Sequence, residues 1–186
     1  MIMTIGFFLG YFKYLIIKTY KMKILICDID NTVADQMKSL KILQSSVSPE
    51  LFLEKSYSEN EMIKYEVLDH ALEGINLFKS NNYKIYWLTA RDHKFAKATK
   101  EWLVQNKFPI DELILVSRIA KKIDFIDKIN PDLIIDDCNY NQHNLKPLPA
   151  TDFISTIKKN HELLVFNNNW KWIIKNFNEL TKNRLK

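Results

Sequence analysis

The stretch Ile24-Leu-Ile-Cys-Asp-Ile-Asp-Asn-Thr32 is an apolar run that ends abruptly in acids. Ile24–Cys27 is short and uninterrupted, and it has the branched residues of a strand buried on both faces of a parallel sheet. Two residues apart at the end of such a strand, Asp28 and Asp30 project to the same side while Ile29 turns into the protein. Carboxylates that close repel and raise each other's pKa unless a cation neutralises them. A hard divalent ion with oxygen ligands, magnesium above all, is the natural partner.

Working outward, the pattern repeats. Ile85–Leu88, Leu113–Val116, Leu133–Ile135 and Leu163–Phe166 are further short apolar runs. Helical candidates lie between and after them at about 70–80, 94–106, 120–129, 150–159 and 170–182. In the last, Trp170, Ile173, Ile174, Phe177 and Leu180 recur at helical spacing behind Asn169, a good N-cap. Strands alternating with helices predict an α/β domain, a doubly wound (Rossmann-like) parallel sheet of about five strands. Sheets of this kind bind ligands at the carboxyl ends of their strands. Polar residues stand there in three places: Asp28 and Asp30, Thr89 and Arg91, Asp136 and Asp137.

Between the first two strands, residues 33–68 carry their own helix signals. Ser48-Pro49-Glu50 reads as an N-cap with proline at the first helical position, and Ser58 with Glu61 as a capping box. This predicts a small helical cap insert over the carboxyl edge. About 33 residues separate Thr89 from Lys122, room for a helix and a strand but for no second cap.

Composition bounds the rest. The 186 residues, 47% hydrophobic and 26% charged, are those of one globular domain. The formal charge of +5 sits at the ends, because residues 22–154 hold 17 basic and 20 acidic residues. That disfavours a broad nucleic-acid groove. Cys27 and Cys138 have no metal-binding or disulfide spacing and read as buried thiols of a cytoplasmic protein. Lys13 and Lys18 interrupt the apolar N-terminal segment before it reaches the roughly 20 residues that span a bilayer. Residues 1–21 therefore read as an over-extended start or as a segment lying on a membrane surface.

The candidate site gains partners from later in the chain. The pair Asp136-Asp137 brings a third carboxylate to the same ion. Thr89 offers a hydroxyl, and Lys121 or Lys122 an ammonium, to phosphoryl oxygens. Arg91 is one of three arginines; its fork suits phosphate, and an ion pair with Asp92 or Glu101 suits it equally.

Asp28-x-Asp30-x-Thr32 after a strand, Thr89 ending the next, Lys122 opening a helix and Asp136-Asp137 ending a further strand together resemble the haloacid dehalogenase-like (HAD) phosphohydrolase superfamily. The resemblance covers about residues 22–166. It implies that Asp28 is a nucleophile forming an aspartyl-phosphate, and that Asp30 is the general acid and base. Thr89 and Lys122 would hold phosphoryl oxygens, with Lys122 at the more familiar spacing. Thr32 and Arg91 would face the substrate. Mg²⁺ would be held by Asp28, the Asp30 carbonyl and Asp137, with Asp136 in support.

Two branches look nearest. Thr89-Ala-Arg91 with Thr99-Lys-Glu-Trp-Leu103 is similar to polynucleotide 3′-phosphatases, and Leu133–Asn141 to 5′(3′)-deoxyribonucleotidases. Asn31 stands where glycine is frequent, and Arg118 where the polynucleotide branch has Asp. The implied activity is hydrolysis of a small phosphate monoester, a nucleotide first. A polynucleotide end, transfer to an acceptor other than water, and a silent binding or membrane-tethered module are the alternatives.

Overall fold

The computed structural model describes residues 22–56, 58–117, 119–139 and 150–182. The expectations for residues 1–21 and for Arg118 lie outside these. Five strands form one parallel sheet: β1 Lys23–Cys27, β2 Tyr83–Thr89, β3 Glu112–Leu115, β4 Leu133–Asp136 and β5 Leu163–Val165. Their order is β3-β2-β1-β4-β5. The chain winds outward from β1 in one direction, then returns to start β4 on its other side. The carboxyl ends of β1 and β4 therefore flank the switch in strand order, where such sheets open a crevice.

Alternation along the buried strands feeds two cores. Leu25, Cys27, Ile85, Trp87, Leu133 and Ile135 face one side, where they join α4 (Ala71–Ser80), α5 (Ala96–Gln105), α8 (Trp170–Lys175) and α9 (Phe177–Lys182). Ile26, Leu88 and Ile134 face the other, against α6 (Ile119–Ile129) and α7 (Ala150–Asn160). Each fully buried large apolar side chain contributes about 1.5–3 kcal/mol.

Between β1 and α4 the chain forms α1 (Gln36–Ser46), α2 (Pro49–Ser56) and α3 (Glu59–Met62). Asp35 caps α1 by accepting from the Lys38 N–H, and Ser48 and Ser58 receive the Leu51 and Glu61 N–H groups. The Glu61 carboxylate meets Lys64 at 2.7 Å, so only the Ser58 half of the expected box appears among these contacts.

Two boundaries differ from expectation. Strand β2 begins two residues early, because Tyr83 and Lys84 pair with Lys23 and Ile24 of β1. The expected single helix at 170–182 is two, broken at Asn176. There the backbone leaves helical geometry at φ −100° and ψ 11°, while the Asn176 N–H and side-chain amide both donate to the Trp172 carbonyl, at 2.9 and 2.7 Å.

Helices α4 and α8 meet at a close approach that requires glycine. A Cβ on Gly74 would lie 2.3 Å from a ring carbon of Trp170. Trp170 has no room to withdraw: it is 1% exposed, and its indole N–H donates to the Thr32 carbonyl at 2.7 Å. Helix propensity alone would favour Gly74→Ala by about 1 kcal/mol. Overpacking here reverses the sign, for a net loss of about 1–2 kcal/mol. A lower midpoint of thermal unfolding for Gly74→Ala is the expected result, and a higher one would refute this packing.

Candidate active site

The site is assembled from strand ends. β1 stops at Cys27, and the Asp28 N–H donates to the Ile135 carbonyl at 2.9 Å, which fixes the first acid over the switch between β1 and β4. The chain then turns sharply. Asn31 adopts φ 56°, in the left-handed region that asparagine tolerates better than most residues, which accounts for its standing where glycine is frequent. Cys138, after β4, is also left-handed at φ 54°, and its N–H donates to Asp136 Oδ1 at 2.8 Å. This second turn places Asp136 and Asp137 beside Asp28.

At the centre stands a lysine that is 1% exposed. Lys122 Nζ lies 2.7 Å from Asp28 Oδ1 and 2.9 Å from Asp136 Oδ2. Burial alone would lower its pKa, but the carboxylates of Asp136 and Asp28 outweigh burial and hold it above its ordinary value. Lys121, its neighbour, is exposed. One ammonium does not balance three acids. Burial pushes the Asp28 carboxyl up, with Asp136, Asp137 and Asp30 adding to it against the pull of Lys122. Burial and then Asp136 push Asp137 up to about 6.

Asp28, Asp136 and Asp137 each offer an oxygen, all within 4.8 Å of one another. Hard oxygen donors carrying surplus negative charge fit a divalent cation. Beside them Asn31, Asp35, Met37, Leu68, Asp137, Asn139, Phe166 and Asn168 line a cavity of about 180 Å³.

No protein-family profile matches the chain. A curated Bacillus cereus protein with a provisional nucleotidase name is 27% identical over 96 residues, 50% of this chain and 51% of that one. The match thus spans about half the length of that relative. The class C acid phosphatase of Bacillus anthracis, with tungstate bound, superposes with a TM-score of 0.56 at 14% identity over 94% of this chain and 84% of its own. A hydrolase of Streptococcus pneumoniae gives 0.54 at 11% over 88% and 100%. A chain of the Pnkp1/Rnl/Hen1 RNA repair complex gives 0.53 at 18% over 78% and 42%.

The fold is that of the haloacid dehalogenase-like hydrolases.

On this HAD-like fold the expected residues fall in two linked groups. Asp28, Asp136, Asp137 and Lys122 converge as described. Thr32 is fully buried, and its hydroxyl oxygen accepts the Asp137 N–H at 3.1 Å, tying the two acidic turns together. Thr89 ends β2, and its hydroxyl oxygen receives the Arg91 N–H at 3.3 Å.

Arg91 is paired with neither Asp92 nor Glu101. Its guanidinium grips Asp30, with Nε 2.9 Å from Oδ2 and Nη2 2.6 Å from Oδ1. The surface ion pair read from the sequence is corrected, because Asp92 instead caps the Lys94 N–H at 3.0 Å. Thr99, which accepts from Arg91 Nη1 at 3.0 Å, was visible only as part of a resemblance. Tyr65, whose ring lies 5.8 Å from the guanidinium carbon, carried no sequence signal. His93 is exposed.

The raised Asp137 carboxyl links protonation to stability. Asp137 binds its proton more tightly in the folded chain than in the unfolded one. Its stabilising contribution is therefore complete below about pH 4 and is lost as pH rises through about 6. Asp137→Asn keeps an oxygen for the Asn139 N–H and removes the charge. In chelator at pH 7.5 this variant should melt a few degrees above the wild type, as about 1–2 kcal/mol implies. The advantage should vanish near pH 4. Thermal melts at the two pH values check it.

Proposed function

We propose that this chain is a magnesium-dependent phosphatase that hydrolyses phosphate monoesters through an aspartyl-phosphate on Asp28. The observation that carries the reading is the Asp28, Asp136 and Asp137 cluster at the strand switch, held around one buried ammonium. A divalent cation would offset the negative charge that the side chains alone leave unbalanced, and with Lys122 would let the site accept a phosphate.

Asp28 attacks phosphorus. The new bond forms to its carboxylate oxygen as the bond to the ester oxygen breaks, dividing one hard displacement into two. Asp30 protonates the departing oxygen, then takes a proton from the water that attacks the same phosphorus and frees Asp28. Lys122 and Thr89 stabilise charge on the phosphoryl oxygens. Asp28, the Asp30 carbonyl and Asp137, with Asp136 in support, would hold Mg²⁺, which would supply charge neutralisation for the attacking carboxylate and the phosphoryl group. Residues 33–68 serve as the cap that limits substrate size. Among the described residues no helix is long and apolar enough to cross a membrane.

A nucleoside monophosphate is the first substrate to test, since the B. cereus relative bears a nucleotidase name. Similarity to a chain of an RNA repair complex makes a 3′-phosphorylated oligonucleotide the second. The full chain should release phosphate from members of a nucleotide panel with Mg²⁺ and lose that activity in chelator. Asp28→Asn should lower kcat by roughly 10⁴-fold or more. Activity that survives either change would refute the mechanism, and a fully inert wild type would favour a binding module without turnover.

A further inference from the structure

We propose that Arg91 is a positioning residue that fixes the Asp30 carboxylate and does not itself take the substrate phosphate. The inference rests on the phosphatase reading for the role of Asp30. Its geometric half stands independently.

A guanidinium has five N–H donors in a rigid fork that matches a carboxylate. In this chain three of the five are engaged: Nε and Nη2 each donate to Asp30, one to each oxygen, and Nη1 donates to Thr99. The Arg91 side chain is 4% exposed, whereas that of Asp30 is 20% exposed. The acid is at the front.

The arginine is held from all sides. Its own N–H donates to Thr89, and its carbonyl accepts the Ser117 N–H at 3.2 Å. Thr99, on α5, is fully buried. The guanidinium carbon lies 5.8 Å from the centre of the Tyr65 ring, within cation–π range. Tyr65 is anchored in turn, because its carbonyl accepts the Trp102 indole N–H at 2.8 Å. Tyr65 lies in the segment between β1 and β2 that carries α1–α3. A path of contacts therefore runs from that segment through Arg91 to Asp30. The bidentate grip removes side-chain rotation from Asp30 and leaves its outer lone pairs toward the site. An acid–base group needs its proton within hydrogen-bond reach of the reacting oxygen, so a loosened carboxylate costs rate and not affinity.

Leaving-group chemistry separates the two roles. A p-nitrophenyl ester departs without needing a proton, whereas an alkyl ester does need one. If Arg91 positions Asp30, Arg91→Met lowers kcat on an alkyl phosphate by on the order of 10²-fold. On the aryl ester it loses only a few-fold, with KM nearly unchanged on both. Asp30→Asn shows the same selectivity, and the double variant is no worse than Asp30→Asn. Thr99→Val gives a weaker form of the same pattern and guards against misfolding of Arg91→Met. A similar rise in KM on both esters, or losses that multiply, would overturn the assignment in favour of a phosphate ligand. Should the wild type hydrolyse neither ester, the phosphatase reading fails, and NMR then decides the remainder. The Arg91 Nε–H resonance must be protected from exchange in the wild type and lose that protection in Asp30→Asn. Equal protection in both would contradict the grip itself.

Discussion

Everything at the carboxyl edge of this sheet depends on burying one ammonium between two carboxylates. Taking Lys122 out of water costs several kcal/mol, and removing a partner from such a contact typically costs about 3–5 kcal/mol. The cost is met because β1, β4 and α6 deliver Asp28, Asp136 and Lys122 to within 2.7–2.9 Å of contact. Asp28 precedes Lys122 by 94 residues, whereas Asp136 follows it by only 14. The parallel pairing of β1 with β4 is what makes the meeting geometric and not accidental.

A second ion pair flanks the first. Asp30 and Arg91 pair with each other, so the guanidinium does not replace the missing counter-charge of the central cluster. Asp28, Asp136 and Asp137 then confront Lys122, and burial, reinforced by the neighbouring acids, pushes the Asp28 and Asp137 carboxyls upward. Stability and chemistry pull against each other here. The fold carries negative charge that it would be more stable without, and that surplus is the feature suited to gathering a divalent cation.

Much of this was legible in the residues because it follows from local pattern. Uninterrupted apolar runs announced the strands, and acids or Thr at their ends announced the edge. The N-caps at Ser48, Ser58 and Asn169 all receive the expected N–H groups. What stayed hidden depends on meetings across the fold. Nothing near Arg91 in the chain points to Asp30, 61 residues earlier, and the adjacent Asp92 is the more obvious partner from sequence. Tyr65 reads as ordinary core until its ring is seen beside the guanidinium. The break at Asn176 escaped because the apolar stripe continues in phase across it, while the backbone leaves helical geometry at that single residue.

The central claim concerns a covalent bond to one carboxylate, and acid-quenching the full chain during Mg²⁺-dependent turnover of a phosphate monoester tests it most directly. Peptide mass mapping under acidic conditions should find the mass of one phosphoryl group on the peptide containing Asp28, released by mild base and absent from Asp28→Asn. Turnover with no phosphorylated peptide under conditions that accumulate the intermediate, or a phosphoryl group on any other residue, would contradict the assignment of Asp28 as the nucleophile.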